Sequence, residues 1–508
     1  MIVKAYCAAL SGLDGNLVTI ETDLSGGLPH LDIVGLPDAA VRESRERVRS
    51  AITNSGFEFP ARRCILNLAP ADLKKEGTQY DLPIAATLLL GTGQLAADLE
   101  SCMLMGELGL SGEIRGVNGV LSGVLCAKNS GFKSGIVPAE NAAEAALVSG
   151  IEVYGARTLT ETVLHLSGEQ PLPITKSDIK YIFEQKSHYN VDFDQVRGQL
   201  ALRRGIEIAT AGGHNVLLIG SPGSGKTMLA QRIPTILPDL TMQEALDITQ
   251  IYSVAGELKD GQSIISRRPF RSPHHSSSTV SIVGGGPKAR PGELSLAHNG
   301  VLFFDELPEY GKSVMEALRQ PLEDKTVTVS RIAATCTYPC NVMFVAAMNP
   351  CRCGYYGDGS GRCHCSEPDV RRYLGKVSGP LLDRIDIQLE ASTLRYSDLT
   401  AEKGESSAEI KKRVNAARKI QQERFKDEGI TCNAQMNSAQ IERFCPLGPR
   451  ESALLKNVFD VMGLSARAYS RILKVARTIA DVAGRENITD MDISEAVGYR
   501  TLDRKYWN

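Results

Sequence analysis

The chain of 508 residues has one Trp and only 6% aromatic residues, too few for a row of rings on which bases could stack. Neither charge sign dominates: 57 Lys and Arg face 59 Asp and Glu, for a formal net charge of −2. That balance excludes a histone-like or basic-tail mode of binding nucleic acid, so any such contact has to come from a local patch. No run approaches about 18 consecutive apolar residues, and the first seven residues hold no sustained apolar stretch. The expectation is a chain without a membrane span or secretory signal. Its twelve Cys are irregularly spread, which reads as the reduced thiols of a cytoplasmic protein, one cluster apart.

What is present is an ordinary globular mixture, 43% apolar and 23% charged, long enough for roughly three domains. Residues 1–165 alternate short β-rich runs with helical ones. Leu31 to Gly35 and Ile65 to Leu68 read as strands, Asp38 to Ile52 as an amphipathic helix rich in Arg, and Pro83 to Leu90 as an apolar helix. Residues 166–190 are polar, carry Pro171 and Pro173, and suit a linker. Across 191–395, Val/Ile/Phe-rich strands alternate with helices, the pattern of a parallel α/β sheet. From 396 to 508 the periodicity turns helical: Ile410, Val414, Ala417 and Ile420–Gln421 trace one face, and Ile472, Val475, Ala476 and Ile479 another. No internal repeat of about 20–50 residues is visible.

One motif carries specific chemistry. His214 to Ile219 reads as a buried strand, followed by Gly220-Ser221-Pro222-Gly223-Ser224-Gly225-Lys226-Thr227 and a helical run from Met228 to Ile233. This is the full phosphate-binding loop in its strand–loop–helix context. Gly223 and Gly225 permit backbone angles that turn successive N–H groups toward one anion. The helix adds its positive end. Lys226 is expected to reach the β/γ-phosphates of ATP, and the Thr227 hydroxyl to ligate Mg²⁺. Downstream, Gly300 to Phe304 form an apolar strand ending in Asp305 and Glu306, 79 residues beyond the lysine (305 − 226). Asp305 is expected in the Mg²⁺ shell and Glu306 as the general base that polarises the attacking water. A third strand, Val342 to Ala347, ends at Asn349, placed to orient that water.

Together these elements resemble the AAA+ ATPases. Ser272-Pro273-His274-His275, Leu302 to Glu306, Ala347-Met348-Asn349-Pro350-Cys351 and Gly379-Pro380-Leu381-Leu382-Asp383-Arg384-Ile385-Asp386 narrow the resemblance to the Mg-chelatase-like YifB/ComM family, along essentially the whole chain. The resemblance implies a Lon-protease-like α+β domain over 1–165, a AAA+ core with a parallel sheet over 191–395, and a C-terminal helical lid over 396–508. It implies that Arg384 is an arginine finger reaching the γ-phosphate of a neighbouring subunit, hence a ring, expected to be a hexamer. Arg467 matches the lid arginine that contacts the phosphates of its own chain, and Val196 to Gln199 the segment lying against the adenine. The activity implied is that of an ATP-driven motor on DNA, a branch-migration or recombination helicase. The alternatives are a chelatase-type motor that remodels a protein partner and a nucleotide-gated scaffold.

Three further features bear on that choice. Residues 261–292 contain Arg267, Arg268, Arg271, Lys288 and Arg290 and no Asp or Glu. This local charge of +5 within a balanced chain invites a polyanion such as DNA. In the wider helicase clade such inserts, and a hairpin that Thr326 to Arg331 would supply here, face the ring pore. Cys351, Cys353, Cys363 and Cys365 fall within fifteen residues, joined by a Gly-rich link, and can set four thiolates tetrahedrally around a structural Zn²⁺. In the N-terminal region, Lon-type proteolysis needs a Ser and a Lys. Gln79 and Gly123 occupy the matching positions, so no peptidase activity is expected, and the domain is free to bind DNA or a partner.

Overall fold

The computed structural model describes residues 2–177, 189–259, 262–287, 289–330, 335–393, 396 and 403–507. Lys288, Arg331 and part of the expected linker lie outside them.

The first sheet has seven strands in the order His30–Val34, Arg63–Ala69, Asp14–Ser25, Ile2–Ser11, Cys102–Leu104, Ser134–Pro138, Glu152–Ala156. Ile2–Ser11 and Asp14–Ser25 pair as an antiparallel hairpin, while Cys102–Leu104, Ser134–Pro138 and Glu152–Ala156 run parallel. Helix Ala39–Asn54 begins at Asp38, whose carboxylate accepts the Val41 N–H at 2.8 Å, satisfying one of the unpaired donors of the first turn. It buries Val41, Ser44, Val48, Ala51 and Ile52. Helix Asp81–Gly91 has almost no polar face and is buried from Asp81 to Leu89.

The second sheet is five parallel strands in the order Phe270–Arg271, Val301–Phe304, Met343–Met348, Val216–Gly220, Ile387–Ala391. Numbered along the chain the order is 2-3-4-1-5, so the sheet is doubly wound and reverses direction at Val216–Gly220. In such sheets ligands bind beyond the carboxyl ends of the strands at that reversal. The middle strands are buried on both faces, which explains their unbroken apolar runs. The helix after the phosphate loop is shorter than the sequence suggests. It covers Lys226–Ala230 and resumes at Ile233–Ile236, with Pro234 in its first turn.

Beyond the sheet the chain is helical. Helices Ser407–Arg424 and Ala466–Val482 share one apolar core with Leu200–Gly212. Ile420 is turned outward, whereas Gln421 is buried. Gln421 and Arg418 both donate to the Ala211 carbonyl, at 3.2 and 3.1 Å, closing off the C-terminal end of Leu200–Gly212. Beneath the loop strand, Asp386 carries a cluster of contacts. His214 and Arg471 lie 3.5 and 3.3 Å from it, and His214 also meets Thr478 at 2.8 Å. Burial pushes the Asp386 carboxyl up, but the His214 contact and the charges of Arg471 and Lys474 outweigh this and hold it below the ordinary range.

The N-terminal sheet is docked on the second unit through helix Met242–Ala255. Gly119 N–H donates to Ser253 O at 3.1 Å, and Gln250 donates to Leu13 O at 2.9 Å and Ser122 Oγ at 3.1 Å. Ala245 and Ile264 join the apolar cluster around Val120, Leu121 and Val124. The Ser–Lys chemistry of a Lon site is not assembled at the matching positions. Gln79 is buried and donates to Glu76 O at 3.0 Å. A side chain at Gly123 would meet Met105 Sδ at 2.4 Å.

Candidate nucleotide site and cysteine cluster

The phosphate loop lies at the carboxyl end of Val216–Gly220 and opens helix Lys226–Ala230. Gly223 and Gly225 take φ of 77° and 87°, angles that a side chain would strain. Lys226 folds back into the loop. Its Nζ donates to Gly220 O at 2.7 Å, to Ser221 O at 3.0 Å and to Asn349 Oδ1 at 3.2 Å. Burial pulls the ammonium below its usual range, against the opposing charges of Asp305 and Glu306. A cation held in this way gains from an arriving polyphosphate, which would replace carbonyl dipoles with full negative charge.

The acids follow strand Val301–Phe304. Asp305 Oδ2 accepts from Thr227 Oγ1 at 2.7 Å. Two neighbouring ligands of an octahedral Mg²⁺, at its usual bond length of about 2.0–2.1 Å, stand about 2.9 Å apart, so this pair of oxygens fits the ion. Glu306 turns away from the strand at φ 52° and donates its N–H to Asp305 Oδ1 at 2.9 Å. Its side chain is 59% exposed, and His275 Nδ1 lies 3.8 Å from Oε2. Gln199, at the start of helix Leu200–Gly212, donates to Ser392 O at 2.6 Å and reaches Ser224 O at 3.5 Å. It therefore borders the loop. Ser221 Oγ meets Thr393 Oγ1 at 3.2 Å.

Arg384 occupies the other end of the sheet. Its guanidinium donates to Arg319 O at 2.8 Å and Pro380 O at 2.7 Å and pairs with Glu323. Its own carbonyl accepts from Asn215, just before the loop strand, at 2.8 Å. The intervening strand, Val216–Gly220, separates it from its own loop by about 17 Å at the usual rise per residue. Arg467 lies near the same edge. Its side chain, 59% exposed, lies 3.7 Å from Asp383, beside Arg384. Helix Ala466–Val482, which it begins, packs on Leu200–Gly212 and on Asp386 at the amino end of the strands.

The basic segment is less basic at its surface than in its sequence. The Arg268 side chain is only 9% exposed, and donates to Pro238 O at 2.6 Å, Asn299 O at 2.7 Å and Glu244 at 3.0 Å. Arg271 is clasped by Glu293 at 2.6 Å and Glu257 at 3.0 Å. These two are internal ion pairs and are corrected from DNA contacts to packing residues. Their acids come from outside residues 261–292, which is why a count within that window missed them. Arg267, stacked on Tyr189 at 5.4 Å, and Arg290 remain exposed.

The four cysteines converge. The Cys351 and Cys353 sulfurs are 3.3 Å apart, Cys353 and Cys363 3.6 Å, Cys351 and Cys363 3.9 Å, and all four Sγ lie within 4.8 Å of one another. A tetrahedral site with Zn–S bonds of about 2.3 Å has sulfurs about 3.8 Å apart, so the donor set fits zinc. The cluster also touches the phosphate loop. At Gly354, φ is 90° and an added Cβ would sit 2.5 Å from Pro222, so glycine is required there. Sequence reasoning missed this contact and the pairing of His275 with Glu306. The Ser272-Pro273-His274-His275 motif was the available signal for the second.

Among the described residues no helix is long and apolar enough to cross a membrane. Residues 192–399 match the family profile described as magnesium chelatase, subunit ChlI. Residues 20–141 match that of subunit ChlI of Mg-chelatase, and residues 404–500 its C-terminal part. Competence protein ComM of Haemophilus influenzae is 44% identical over 504 residues, covering 98% of this chain and 97% of that protein. Uncharacterized proteins YifB of Escherichia coli and Salmonella typhimurium are each 45% identical, over 502 and 504 residues, with the same coverage. The loop, acids and asparagine on a 2-3-4-1-5 parallel sheet, with this full-length similarity, show that the chain belongs to the YifB/ComM family of Mg-chelatase-like AAA+ ATPases.

Proposed function

We propose that the protein is a cytoplasmic, ATP-hydrolysing ring motor, built as a hexamer, that acts on DNA as a branch-migration or recombination helicase. The observation that carries the ATPase reading is the convergence of Lys226, Thr227, Asp305 and Asn349 at the carboxyl edge of the sheet. In this reading residues 1–165 form a Lon-like domain without protease chemistry, 166–190 a linker, 191–395 the motor core and 396–508 the lid. The loop from Gly220 to Thr227 holds the phosphates, Gln199 borders the adenine, Thr227 and Asp305 hold Mg²⁺, Glu306 draws a proton from the attacking water and Asn349 orients that water. Mg²⁺ supplies charge neutralisation on the β- and γ-oxygens. Arg384 and Arg467, together at the opposite edge, serve the nucleotide of the next subunit.

The DNA assignment is supported by the similarity to a competence protein and by the hairpin of Thr326–Ser330 with Thr335–Pro339. Its Val327, Val329, Cys336 and Tyr338 face the core, while Thr326, Thr328, Ser330, Thr335 and Thr337 face outward. Hydroxyls in a row can hydrogen-bond to phosphate oxygens, and exposed Arg267 and Arg290 add charge. The chelatase profiles favour a second reading, a motor that remodels a protein partner. The test is the ATPase rate with and without single-stranded, duplex and branched DNA. DNA stimulation, strongest with a branched substrate, is the expected result. An equal rate in all four conditions overturns the DNA assignment in favour of the second reading.

The cysteine cluster is proposed to hold structural zinc through Cys351, Cys353, Cys363 and Cys365. Purified protein is expected to carry about one zinc per chain by elemental analysis. Cys363→Ser with Cys365→Ser is expected to lose it and to lower the melting temperature by about 5 °C or more. Because Gly354 bears on Pro222, the same variant should bind nucleotide more weakly. Folded, stable protein without metal, purified without chelator, overturns the assignment.

A further inference from the structure

We propose that the cysteine cluster is a site of reversible oxidation by peroxide, and that its oxidation weakens nucleotide binding. The inference rests on reading the cluster as a zinc site and the neighbouring loop as a nucleotide site. The segment from Cys351 to Cys365 forms no helix or strand. Its backbone bonds are local, from Gly354 N–H to Cys351 O at 3.0 Å and from Asp358 N–H to Tyr355 O at 3.4 Å. A chain of that kind has little shape of its own. The four sulfurs and the ion they hold therefore set its shape.

The segment is seated between two other parts of the protein. On one side Gly354, the residue after Cys353, meets the phosphate loop so closely that an added Cβ would lie 2.5 Å from Pro222. On the other side Gly357 lies against helix Leu502–Tyr506, where an added Cβ would stand 3.9 Å from Lys505 Cε. Tyr356, Tyr506 and Trp507 join the sulfurs in one apolar cluster. Cys351 is buried, whereas Cys353, Cys363 and Cys365 are partly exposed, within reach of a small solute. A change in how the sulfurs are held is passed to the phosphate loop one residue away.

The oxidation balances with hydrogen peroxide as its only reagent. A cluster thiolate attacks one peroxide oxygen, the O–O bond breaks and hydroxide leaves, giving a sulfenic acid. A neighbouring thiolate then attacks that sulfur and expels a second hydroxide, forming the S–S bond. Each disulfide takes two electrons from two thiolates and reduces one peroxide to two hydroxides. A second round consumes the other two thiolates and leaves the ion without a thiolate donor. Cys353 with Cys363, 3.6 Å apart, and Cys351 with Cys365 make one such pairing. A disulfide spans only about 2.05 Å, so Cys353 has to move, and Gly354 with it. Buried thiols elsewhere compete poorly. Burial pushes those of Cys340 and Cys445 up to about 12, which keeps them protonated and unreactive.

The experiment titrates the full-length protein with hydrogen peroxide after its zinc content is measured. A metallochromic dye follows zinc release, peptide mass spectrometry maps disulfides, and a fluorescent ATP analogue reports nucleotide affinity. About one zinc per chain should leave as about two peroxides are consumed, with the new disulfides confined to the cluster. The dissociation constant of the analogue should rise about fivefold or more, the lower end of typical coupling between sites. A thiol reductant with added Zn²⁺ should restore it, which separates the effect from methionine sulfoxide, whose repair needs a dedicated reductase. In a zinc-loaded protein, an unchanged constant after full oxidation, or a rise that tracks disulfides outside the cluster, overturns the switch and leaves the zinc reading standing. A protein that holds no zinc yet loses affinity on forming these disulfides overturns the zinc reading and keeps the switch. One that holds none and keeps its affinity overturns both. A parent that never binds the analogue overturns the nucleotide reading and the switch with it.

Discussion

Glu306→Gln is expected to bind ATP as the parent does and to hydrolyse it about 10²–10⁴-fold more slowly. The substitution keeps the size of the side chain and removes the oxygen that accepts a proton. Glu306 makes no hydrogen bond to Lys226 or Thr227, and its backbone N–H bond to Asp305 does not involve the side chain. The phosphate and Mg²⁺ ligands are therefore left intact. Phosphate release under saturating ATP measures the first part, and titration with a fluorescent ATP analogue the second. A kcat equal to the parent's removes Glu306 as the base. Lys226→Ala should fail differently. That ammonium is buried within the loop, so its loss should abolish measurable nucleotide binding and not turnover alone.

The edge of the sheet proposed to bind nucleotide was legible in the sequence because its constraints are local. A phosphate loop needs particular residues at fixed spacing, and its flanking strand and helix are continuous with it. The same holds for Val301–Phe304 with Asp305 and Glu306, where the apolar strand and the two acids that follow it lie in one short segment. The cysteine cluster also lies within one short segment, and its four sulfurs do meet. What the sequence concealed depends on contacts between distant segments. Arg268 finds Glu244, and Arg271 finds Glu257 and Glu293. A charge count within one window treats as surface what the fold pairs internally. The position of Arg467 depends on distant contacts as well. The motif identifies an arginine at the start of a helix, but the edge of the sheet it faces is set by how Ala466–Val482 packs on Leu200–Gly212 and Asp386. Ile420 continued an apolar stripe that the helix does not bury, because Gln421 is drawn inward by the carbonyl ends of a helix some 210 residues earlier in the chain.

Arg384→Ala is expected to bind ATP normally and to lose hydrolysis by about 10³–10⁵-fold, the range for an arginine that stabilises transition-state charge from a neighbouring subunit. The geometry gives the reason for both halves. Arg384 lies a strand's length from its own loop, at the amino end of Ile387–Ala391, so it touches none of its own phosphate ligands. Its guanidinium is 13% exposed and held by Arg319 O, Pro380 O and Glu323. It is thus fixed at an edge and not free to swing back to its own loop. Its removal also leaves Arg319 O, Pro380 O and the half-exposed Glu323 without their donor, so the melting temperature should fall by a few degrees with the fold retained. That measurement separates lost chemistry from lost folding. Mixing Arg384→Ala with Lys226→Ala is the decisive step. In mixed rings some interfaces join an intact loop on one subunit to an intact arginine on the next, so two inactive proteins should yield partial activity. No arrangement in which Arg384 serves its own nucleotide predicts that recovery. With subunit exchange verified by labelled chains, absence of recovery overturns the trans assignment for independently acting interfaces. Full activity of Arg384→Ala alone removes the finger altogether. Arg467→Ala, on the same edge beside Asp383, should behave in the mixing experiment as Arg384→Ala does. If it instead weakens ATP binding within its own subunit, the lid arginine reaches its own chain's phosphates and the edge position of Arg467 is not the active one.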